Sequence, residues 1–193
     1  MRLTITSIRC AMHDIHNVAS CNLVRLDRII RAHDKRDNMS NTASADPGSD
    51  THRHKLTGDV HLLMFDAEDQ ILLGRRQNTG FEDGAWHVPA GHLEASESIV
   101  QALIREAKEE VGVTIALEDA GFAHIMHSSS GGGRAAFFFI VRHWGGSPEN
   151  REPEKCSELA WFPLDALPDR MIGYCRVALD YIAAGEHFSV YGW

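Results

Sequence analysis

Three glutamates near the middle of the chain are spaced as ligands for a divalent cation. Glu106, Glu109 and Glu110 follow an i, i+3, i+4 pattern, so on a helix they share one side of its final turns. A helix C-terminus carries partial negative charge, which makes clustered carboxylates unfavourable there unless a cation holds them together. Mg²⁺ typically binds a few carboxylates together with phosphate oxygens of a substrate. The alternative is a solvated acidic face, relieved only by the neighbouring Arg105 and Lys108.

These glutamates belong to a longer pattern of fixed residues. The stretch from Gly91 to Val113 reads GHLEASESIVQALIREAKEEVGV and fits the spacing G-x5-E-x7-R-E-x-x-E-E-x-G, in which Glu97 and Arg105 are two of the fixed positions. At ordinary residue frequencies, so many matches at one start point arise by chance about once in 10⁸–10⁹. The complete pattern therefore favours a metal site over a solvated acidic face.

The segment that carries the glutamates is predicted to be helical. Ser96 is the predicted N-cap, and Gly112 suits the left-handed position that ends a helix. Apolar residues recur at helical spacing and predict a core-facing stripe: Val100, Leu103, Ile104, Ala107 and Val111. The acidic side of the helix would lie next to this stripe.

The segment resembles the signature box of the Nudix hydrolases, which it matches from Gly91 to Val113 without departure. The resemblance implies an α/β fold, namely an α/β/α sandwich with a mixed sheet in which the box forms a loop–helix–loop metal site. It also implies that water attacks a diphosphate linked to another moiety, with Mg²⁺ as the cofactor or Mn²⁺ in its place.

The resemblance also implies roles for single residues. The implied metal ligands are three carboxylates and one carbonyl oxygen: Glu106, Glu109, Glu110 and Gly91. Arg105 would orient the carboxylates, and Glu97 would pair with Arg105, which completes the implied catalytic set. The base that activates the water stays open between Glu106 and a loop acid outside the box. Glu158 is the leading loop acid and a candidate further metal ligand, in preference to two other acids read as solvated: Glu152 and Glu154.

Residues outside the box are candidates for binding the substrate. Arg75 or Arg76 could bind a diphosphate at the end of a predicted strand, or both could be solvated charges. Phe81 lies in a segment that resembles the loop before the box in MutT-like nucleoside triphosphate hydrolases, and it could stack on a base. Trp86 could do the same or be buried. His61 could face the nucleoside, although a half-buried histidine with satisfied hydrogen bonds is favoured.

The elements that would position these residues alternate between strands and helices. Two apolar runs, 59–65 and 70–76, are predicted to form a hairpin. Residues 128–134 are predicted to be a flexible hairpin loop rather than a loop that faces phosphate. Residues 86–90 lead directly into the box. The remaining predicted elements are strands at 121–127 and 135–144, a last strand at 159–163, and a closing helix at 175–184 that ends at Gly185.

Length and composition limit the classes of protein. The chain has 193 residues and a net charge of −8, which suits one domain with an appendage and argues against a nucleic-acid binder. Four cysteines without C-x-x-C spacing predict reduced thiols and a cytoplasmic location, and no apolar run is long enough to span a membrane.

Residues 1–55 are predicted to be a poorly structured extension and linker, before an enzyme domain at 56–193. Met39 is a candidate natural start, which would leave 1–38 outside the functional unit.

The substrate predicted from the sequence is a small nucleotide. No subfamily signature for ADP-ribose, dinucleoside polyphosphates, NADH or coenzyme A follows the box, so a nucleoside triphosphate is favoured, cleaved to monophosphate and pyrophosphate. The alternatives are hydrolysis of ADP-ribose, a dinucleoside polyphosphate or a sugar nucleotide, and a nucleotide sensor without turnover. The base and the oligomeric state stay open.

Overall fold

Two β-sheets, with a helix on each face of the larger one, form the folded unit Leu56–Trp193. The computed structural model describes residues 54–193, so the predictions for the N-terminal extension and for a start at Met39 lie outside the described residues. The strands are β1 (Thr57–Met64), β2 (Gln70–Arg76), β3 (Trp86–His87), β4 (Ala90–His92), β5 (Gly121–Ser128), β6 (Arg134–Val141), β7 (Cys156–Pro163) and β8 (Phe188–Tyr191). The helices are α1 (Ile99–Glu106), which continues as a π-helical turn (Ala107–Val111), and α2 (Gly173–Ala183); short 3₁₀ turns cover Leu117–Asp119, Ser130–Gly132 and Leu164–Ala166.

The larger sheet is mixed, as predicted. Its strand order is β4-β1-β6-β5-β8, with parallel β1–β6 and β5–β8 pairs and antiparallel β1–β4 and β5–β6 pairs. The smaller sheet has the order β3-β2-β7 and is antiparallel throughout. Strand β1 therefore lies between β4, which begins the box, and β6.

The predicted hairpin is wrong in its pairing, although both strands and the turn between them exist. The Asp66 amide donates to the Gln70 carbonyl at 3.1 Å, which closes the turn. Beyond a single bridge between Phe65 and Ile71, the two strands enter different sheets. The reason is that β4 and β6 already occupy both hydrogen-bonding edges of β1.

The core lies on both faces of the larger sheet, since successive strand residues point to opposite faces. On one face, α1 and the π turn bury Ala102, Leu103, Ala107 and Val111 against a set of strand residues: Val60, Leu62, Met64, Phe139 and Val141. On the other face, α2 approaches β1 through Tyr174, which contacts His61. Full burial of each large aliphatic side chain contributes about 1.5–3 kcal/mol, so this packing fixes α1 against the sheet.

The termini of the box helix differ in part from the prediction. The N-cap is Ser98, which has extended backbone angles and forms a capping box with Gln101. Ser96 was predicted, but its φ is +70°, which is outside the extended region that an N-cap requires. Gly112 ends the helical segment at φ 77°, as predicted.

The C-terminal part of the domain contains a strand that the sequence reading missed. The predicted last strand is β7, but β8 follows α2 and pairs in parallel with β5. Its four residues alternate between exposed and buried and are too few to give a periodic signal. None of the helices in the described residues is long and apolar enough to cross a membrane.

Candidate active site

A close approach between β4 and α1 brings the backbone of the box onto its first glutamate. A Cβ atom added to Gly91 would lie only 1.8 Å from Cδ of Glu106 and 1.9 Å from its Oε1. Any side chain at this position would displace the carboxyl group, so the site requires glycine. The pairing of Gly91 with Val60 fixes β4 on the edge of the sheet, and α1 is held by the core.

Arg105 holds three carboxylates in place. Its Nε and Nη2 donate to the two oxygens of Glu97 at 3.1 and 2.8 Å, a bidentate pair. Its Nη1 donates to Glu106 Oε1 at 2.8 Å and to Glu109 Oε2 at 2.9 Å, and Nη2 also donates to the His92 carbonyl at 3.0 Å. The hydrogen bonds from Arg105 lower the pKa of Glu97. The same hydrogen bonds raise the pKa of Arg105, and they do so more than its hydrogen bonds to Glu106 and Glu109.

The other two box glutamates differ in burial. Glu110 is half-buried, and its Oε2 accepts a hydrogen bond from the Ala90 amide at 2.9 Å. Burial, followed by the charges of Glu106 and Glu152, raises the pKa of Glu110 to about 8. Burial also raises the pKa of Glu106, against the opposing effect of Arg105. Glu109 is more than half exposed and lies at the solvent side of the cluster.

This arrangement fits a hard divalent cation. The carboxylates of Glu106 and Glu110 lie in surroundings that penalise negative charge, and both flank the backbone of β4 at Gly91. Carboxylate and carbonyl oxygens are the ligands that Mg²⁺ and Mn²⁺ prefer. Within residues 54–193, however, no three acidic, histidine or cysteine side chains already converge as a metal cluster, since Arg105 spans Glu106 and Glu109.

A loop acid also lies beside the cluster, but it is Glu152 rather than the predicted Glu158. The charge of Glu152 raises the pKa of both Glu106 and Glu110. Its carboxylate accepts from Lys155 Nζ at 2.8 Å, and its segment is held by the Arg151 amide, which donates to the Glu110 carbonyl at 3.0 Å. No local sequence signal identifies Glu152, because the contact joins segments about forty residues apart.

Glu158 instead lies opposite Arg75 on the β2–β7 pair. Its Oε2 is 3.9 Å from Arg75 Nη1, and both side chains are about half exposed. The Arg75 Nε also donates weakly to the Gly84 carbonyl at 3.4 Å. Neither residue lines the cavity described next.

A cavity of about 500 Å³ opens beside the carboxylate cluster. Gly91 and His92 of the box form part of its wall, so the two regions share the backbone of β4. The other walls come from four separate segments, represented by His61, Arg76, Arg134 and Tyr174. The cavity therefore gathers residues that are more than one hundred positions apart.

His61 is more deeply buried and less satisfied than predicted. It is 2% exposed, stacks on Phe138 with the ring centroids 4.4 Å apart, and has its Nε2 3.1 Å from Tyr174 Oη. Its buried Nδ1 has no hydrogen-bond partner within the part of the chain that the structure describes. Burial, ahead of the charges of nearby groups, lowers the pKa of His61 to about 3, so the ring is neutral at physiological pH. The cavity wall thus contains a neutral polar group without a partner.

Arg76 and Phe81 form the outer wall of the cavity. The Arg76 Nε donates to the Phe81 carbonyl at 2.9 Å, and the guanidinium carbon lies 5.6 Å from the centre of the Phe81 ring. Nη2 of Arg76 donates to Thr79 Oγ1 at 2.9 Å. Phe81 remains more than half exposed, whereas Trp86 packs edge-on against Phe162 at 4.7 Å and does not line the cavity.

The loop between β5 and β6, predicted as a flexible hairpin loop, lines part of the cavity. Ser128, Ser130, Gly131 and Arg134 all contribute to the wall. Arg134 Nη1 donates to Asp59 Oδ2 at 2.6 Å, and His92 Nδ1 lies 2.5 Å from Asp59 Oδ1. Asp59, Arg134 and Tyr174 were not predicted, because only the pairing of β1 with β6 and the packing of α2 on β1 place them together.

Comparisons with known proteins agree with this geometry. The model of the NUDIX domain matches residues 55–176. The chain is 32% identical over 123 residues to the NAD-capped RNA hydrolase NudC of Pseudomonas aeruginosa. The aligned region covers 63% of this chain and 42% of that protein. It is 30% identical over 133 residues to the human 8-oxo-dGDP phosphatase NUDT18, covering 65% and 38%. The chain thus spans about two fifths of the length of these curated relatives. The crystal structure of the MutT NUDIX hydrolase from Burkholderia pseudomallei superposes with a TM-score of 0.59 at 26% identity, covering 65% of this chain and 97% of that one.

Proposed function

The chain belongs to the Nudix family, and from this premise we propose that it hydrolyses a diphosphate linkage in a small nucleotide. The preferred reaction is cleavage of a nucleoside triphosphate to monophosphate and pyrophosphate, in the cytoplasm, without nucleic acid or membrane as a partner. We also propose that residues 56–193 form the enzyme domain and that residues 1–55 are an extension and linker. One observation carries the proposal: an acidic cluster and a cavity share the backbone of Gly91 and His92.

The acidic cluster would hold the reacting phosphates. Glu106, Glu109 and Glu110 would bind the cation with the Gly91 carbonyl, and a bound Mg²⁺ or Mn²⁺ would supply positive charge against the phosphate oxygens and acidify the attacking water. Arg105 would keep the carboxylates in register, because each of its three nitrogens already donates to an acid. Glu97 would act by orienting Arg105.

A carboxylate of the cluster would accept the proton of the attacking water. The two candidates are Glu106 and Glu152, since Glu152 is the loop acid whose charge reaches the cluster. Proton acceptance and in-line attack need only short distances and correct orientation, so positioning would account for most of the rate. Glu158, paired with Arg75, is a weaker candidate for this role or for a further metal ligand.

The cavity would bind the nucleoside part of the substrate. Phe81 could stack on a base, and Arg76 beneath it could bind a phosphate or sugar oxygen. His61 offers an unpartnered nitrogen to a polar edge of the base or sugar. Arg75 points instead toward Glu158 and would contribute less.

A second candidate function keeps the reaction and changes the substrate. One relative's name refers to 8-oxo-dGDP, a nucleoside diphosphate, and another's refers to NAD-capped RNA, so the diphosphate that is cleaved could connect a nucleoside to a group other than a further phosphate. ADP-ribose, dinucleoside polyphosphates and sugar nucleotides belong to this class. A sensor without turnover is the remaining alternative.

The experiment is hydrolysis of a substrate panel with Mg²⁺, with products separated by chromatography. The panel contains canonical and 8-oxo nucleoside triphosphates, ADP-ribose, a diadenosine polyphosphate and a sugar nucleotide. The blank is Glu109→Gln, because this exposed residue can lose its charge at nearly constant volume without disturbing the core. Monophosphate and pyrophosphate formed only by the wild type support the first proposal. Turnover limited to the other nucleotides supports the second, and binding without turnover of any compound contradicts both.

A further inference from the structure

The outer edge of the larger sheet is a short strand with free hydrogen-bonding groups. Strand β8 pairs with β5 on one side, where the Ile125 amide donates to the His187 carbonyl and the Ser129 amide to the Tyr191 carbonyl, both at 3.0 Å. Within residues 54–193 no strand pairs with its other side. The strand contains no lysine, proline or bulge of the kind that usually protects an exposed edge.

The register shows which groups face outward. In a parallel pair, every second residue of a strand bonds to the other strand, where it contacts the residues before and after its partner. Since Ile125 is opposite Phe188 and His127 is opposite Val190, the residues that bond to β5 are His187, Ser189 and Tyr191. The backbone N–H and C=O groups of Phe188 and Val190 therefore point away from the sheet.

The same residues belong to an apolar surface on the α1 side of the sheet. Phe188 is 57% exposed and Val190 49% exposed, and they share this face with Phe122 and Trp193. Phe122 packs on the core residue Phe139 at 5.9 Å, and Trp193 packs on His127 at 4.9 Å. At about 150–250 Å² per aromatic side chain, the exposed apolar area is roughly 400 Å², as large as the largest patch on a typical monomer.

We propose that a second copy of this chain covers this edge, with the two β8 strands paired antiparallel about a twofold axis. If Phe188 lies opposite the partner's Val190, then Ser189 lies on the axis and all outward groups of Phe188 and Val190 are used. This register also places Phe188 and Val190 of both copies on one face, because residues directly opposite each other share a face.

The chemistry of the strand favours a copy of itself over a charged partner. Across the twofold axis the strand faces its own sequence, so a charged edge would meet charges of the same sign and repel itself. The segment Phe188–Trp193 carries no charged side chain, although the whole chain has a net charge of −8. Two such apolar surfaces, together with the backbone edges, approach the roughly 1,000 Å² that a stable interface needs.

The test is the mass of the full chain in solution, measured by sedimentation over a wide concentration range. We expect the wild type to approach twice 21.5 kDa as concentration rises. Val190→Lys should raise the dissociation constant at least about tenfold. The substitution would replace the apolar contact with the partner's Phe188 by a positive charge, twice in the symmetric interface. The matched control is Leu117→Lys, since Leu117 is 66% exposed but lies in the Leu117–Asp119 turn, outside β8. This control should leave the dissociation constant within about threefold of the wild type.

A second measurement reports the backbone pairing itself. Hydrogen exchange at the Phe188 amide should slow as the wild type associates, because that amide would gain an acceptor, and it should stay fast in Val190→Lys. A wild type that remains monomeric at every concentration overturns the proposal. So does a dimer that Val190→Lys leaves intact and in which the Phe188 amide stays unprotected. Neither result bears on hydrolysis, so this proposal fails or survives independently of the proposed function.

Discussion

The carboxylate cluster and the cavity beside it hold polar groups in opposite ways. In the cluster, each guanidinium nitrogen of Arg105 donates to a carboxylate. Arg105 binds Glu97 bidentately and also donates to Glu106 and Glu109. In the cavity wall, His61 is neutral and keeps one buried nitrogen without a partner in residues 54–193. A satisfied ionic network positions its members, whereas an unsatisfied neutral group gains most when a ligand arrives. This contrast supports the proposal that the cluster acts in catalysis and the cavity in recognition.

Loss of the half-buried carboxylate of Glu110 should affect the cluster most. Glu110→Gln removes a charge but keeps an oxygen that can accept from the Ala90 amide. We expect kcat to fall at least about 100-fold, since altering groups that merely support metal ligands already costs 10–100-fold. Steady-state kinetics with the identified substrate would measure it, with a cooperative thermal melt as the control for folding. A variant with wild-type kcat would remove Glu110 from the catalytic set.

The contact between β4 and α1 should tolerate no added atom. Gly91→Ala would place a methyl group inside the Glu106 carboxyl, so we expect kcat to fall about 10–100-fold as the carboxylate is displaced. Gly145→Ala is the matched control, because its new Cβ would meet nothing closer than the Thr114 carbonyl at 3.9 Å. Equal activity in both variants would mean that the position of Glu106 is unimportant.

A change in the cavity should affect binding rather than turnover. His61→Phe keeps a ring against Phe138 but removes both ring nitrogens, namely the unpartnered Nδ1 and the Nε2 that lies 3.1 Å from Tyr174 Oη. We expect KM to rise about five- to tenfold with kcat nearly unchanged, which corresponds to the net value of about 1 kcal/mol for one hydrogen bond. His127→Phe is the control, because the Nε2 of His127 is also buried without a described partner but does not line the cavity. If both variants change KM alike, the cavity is not the binding site.

The smallest expected effect is on stability at acid pH. His61 stays neutral in the folded protein down to about pH 3, whereas in the unfolded chain it takes up a proton near its ordinary value of 6.5. Between these values the unfolded state binds more protons, so the free energy of unfolding falls as the pH is lowered below 6.5. This loss amounts to at most about 1.4 kcal/mol per pH unit. Urea unfolding at pH 7 and at mildly acid pH should show a shallower decline in His61→Phe than in the wild type. Identical slopes would mean that His61 is hydrated in the folded state.

The same contrast explains what the sequence could predict. The box, its helix and the ending at Gly112 were predictable because their signals lie within one segment. The pairing of β1 with β4 and β6, the strand β8 and the approach of Glu152 join distant segments, and no local pattern encodes them. The burial of His61 was underestimated for the same reason, since it depends on Phe138 and Tyr174. Local patterns therefore predicted the helix that carries the carboxylate cluster and three residues of the cavity wall, His61, Arg76 and Phe81, but not how distant segments close the cavity.

The π-helical turn at Ala107–Val111 limits how this segment can change in length. A turn of this kind holds one residue more than an α-helical turn, and here it buries Ala107 and Val111 while Glu110 reaches the Ala90 amide. Deleting Lys108 would restore α-helical geometry and leave the residues on either side of the turn near their places, because a π turn accommodates one extra residue. The deletion would, however, shorten the spacing from Glu106 to Glu109 and Glu110 by one residue, and the three carboxylates would no longer share one side of the helix. Surface loops of this domain can gain or lose residues, but this segment can vary only by substitution.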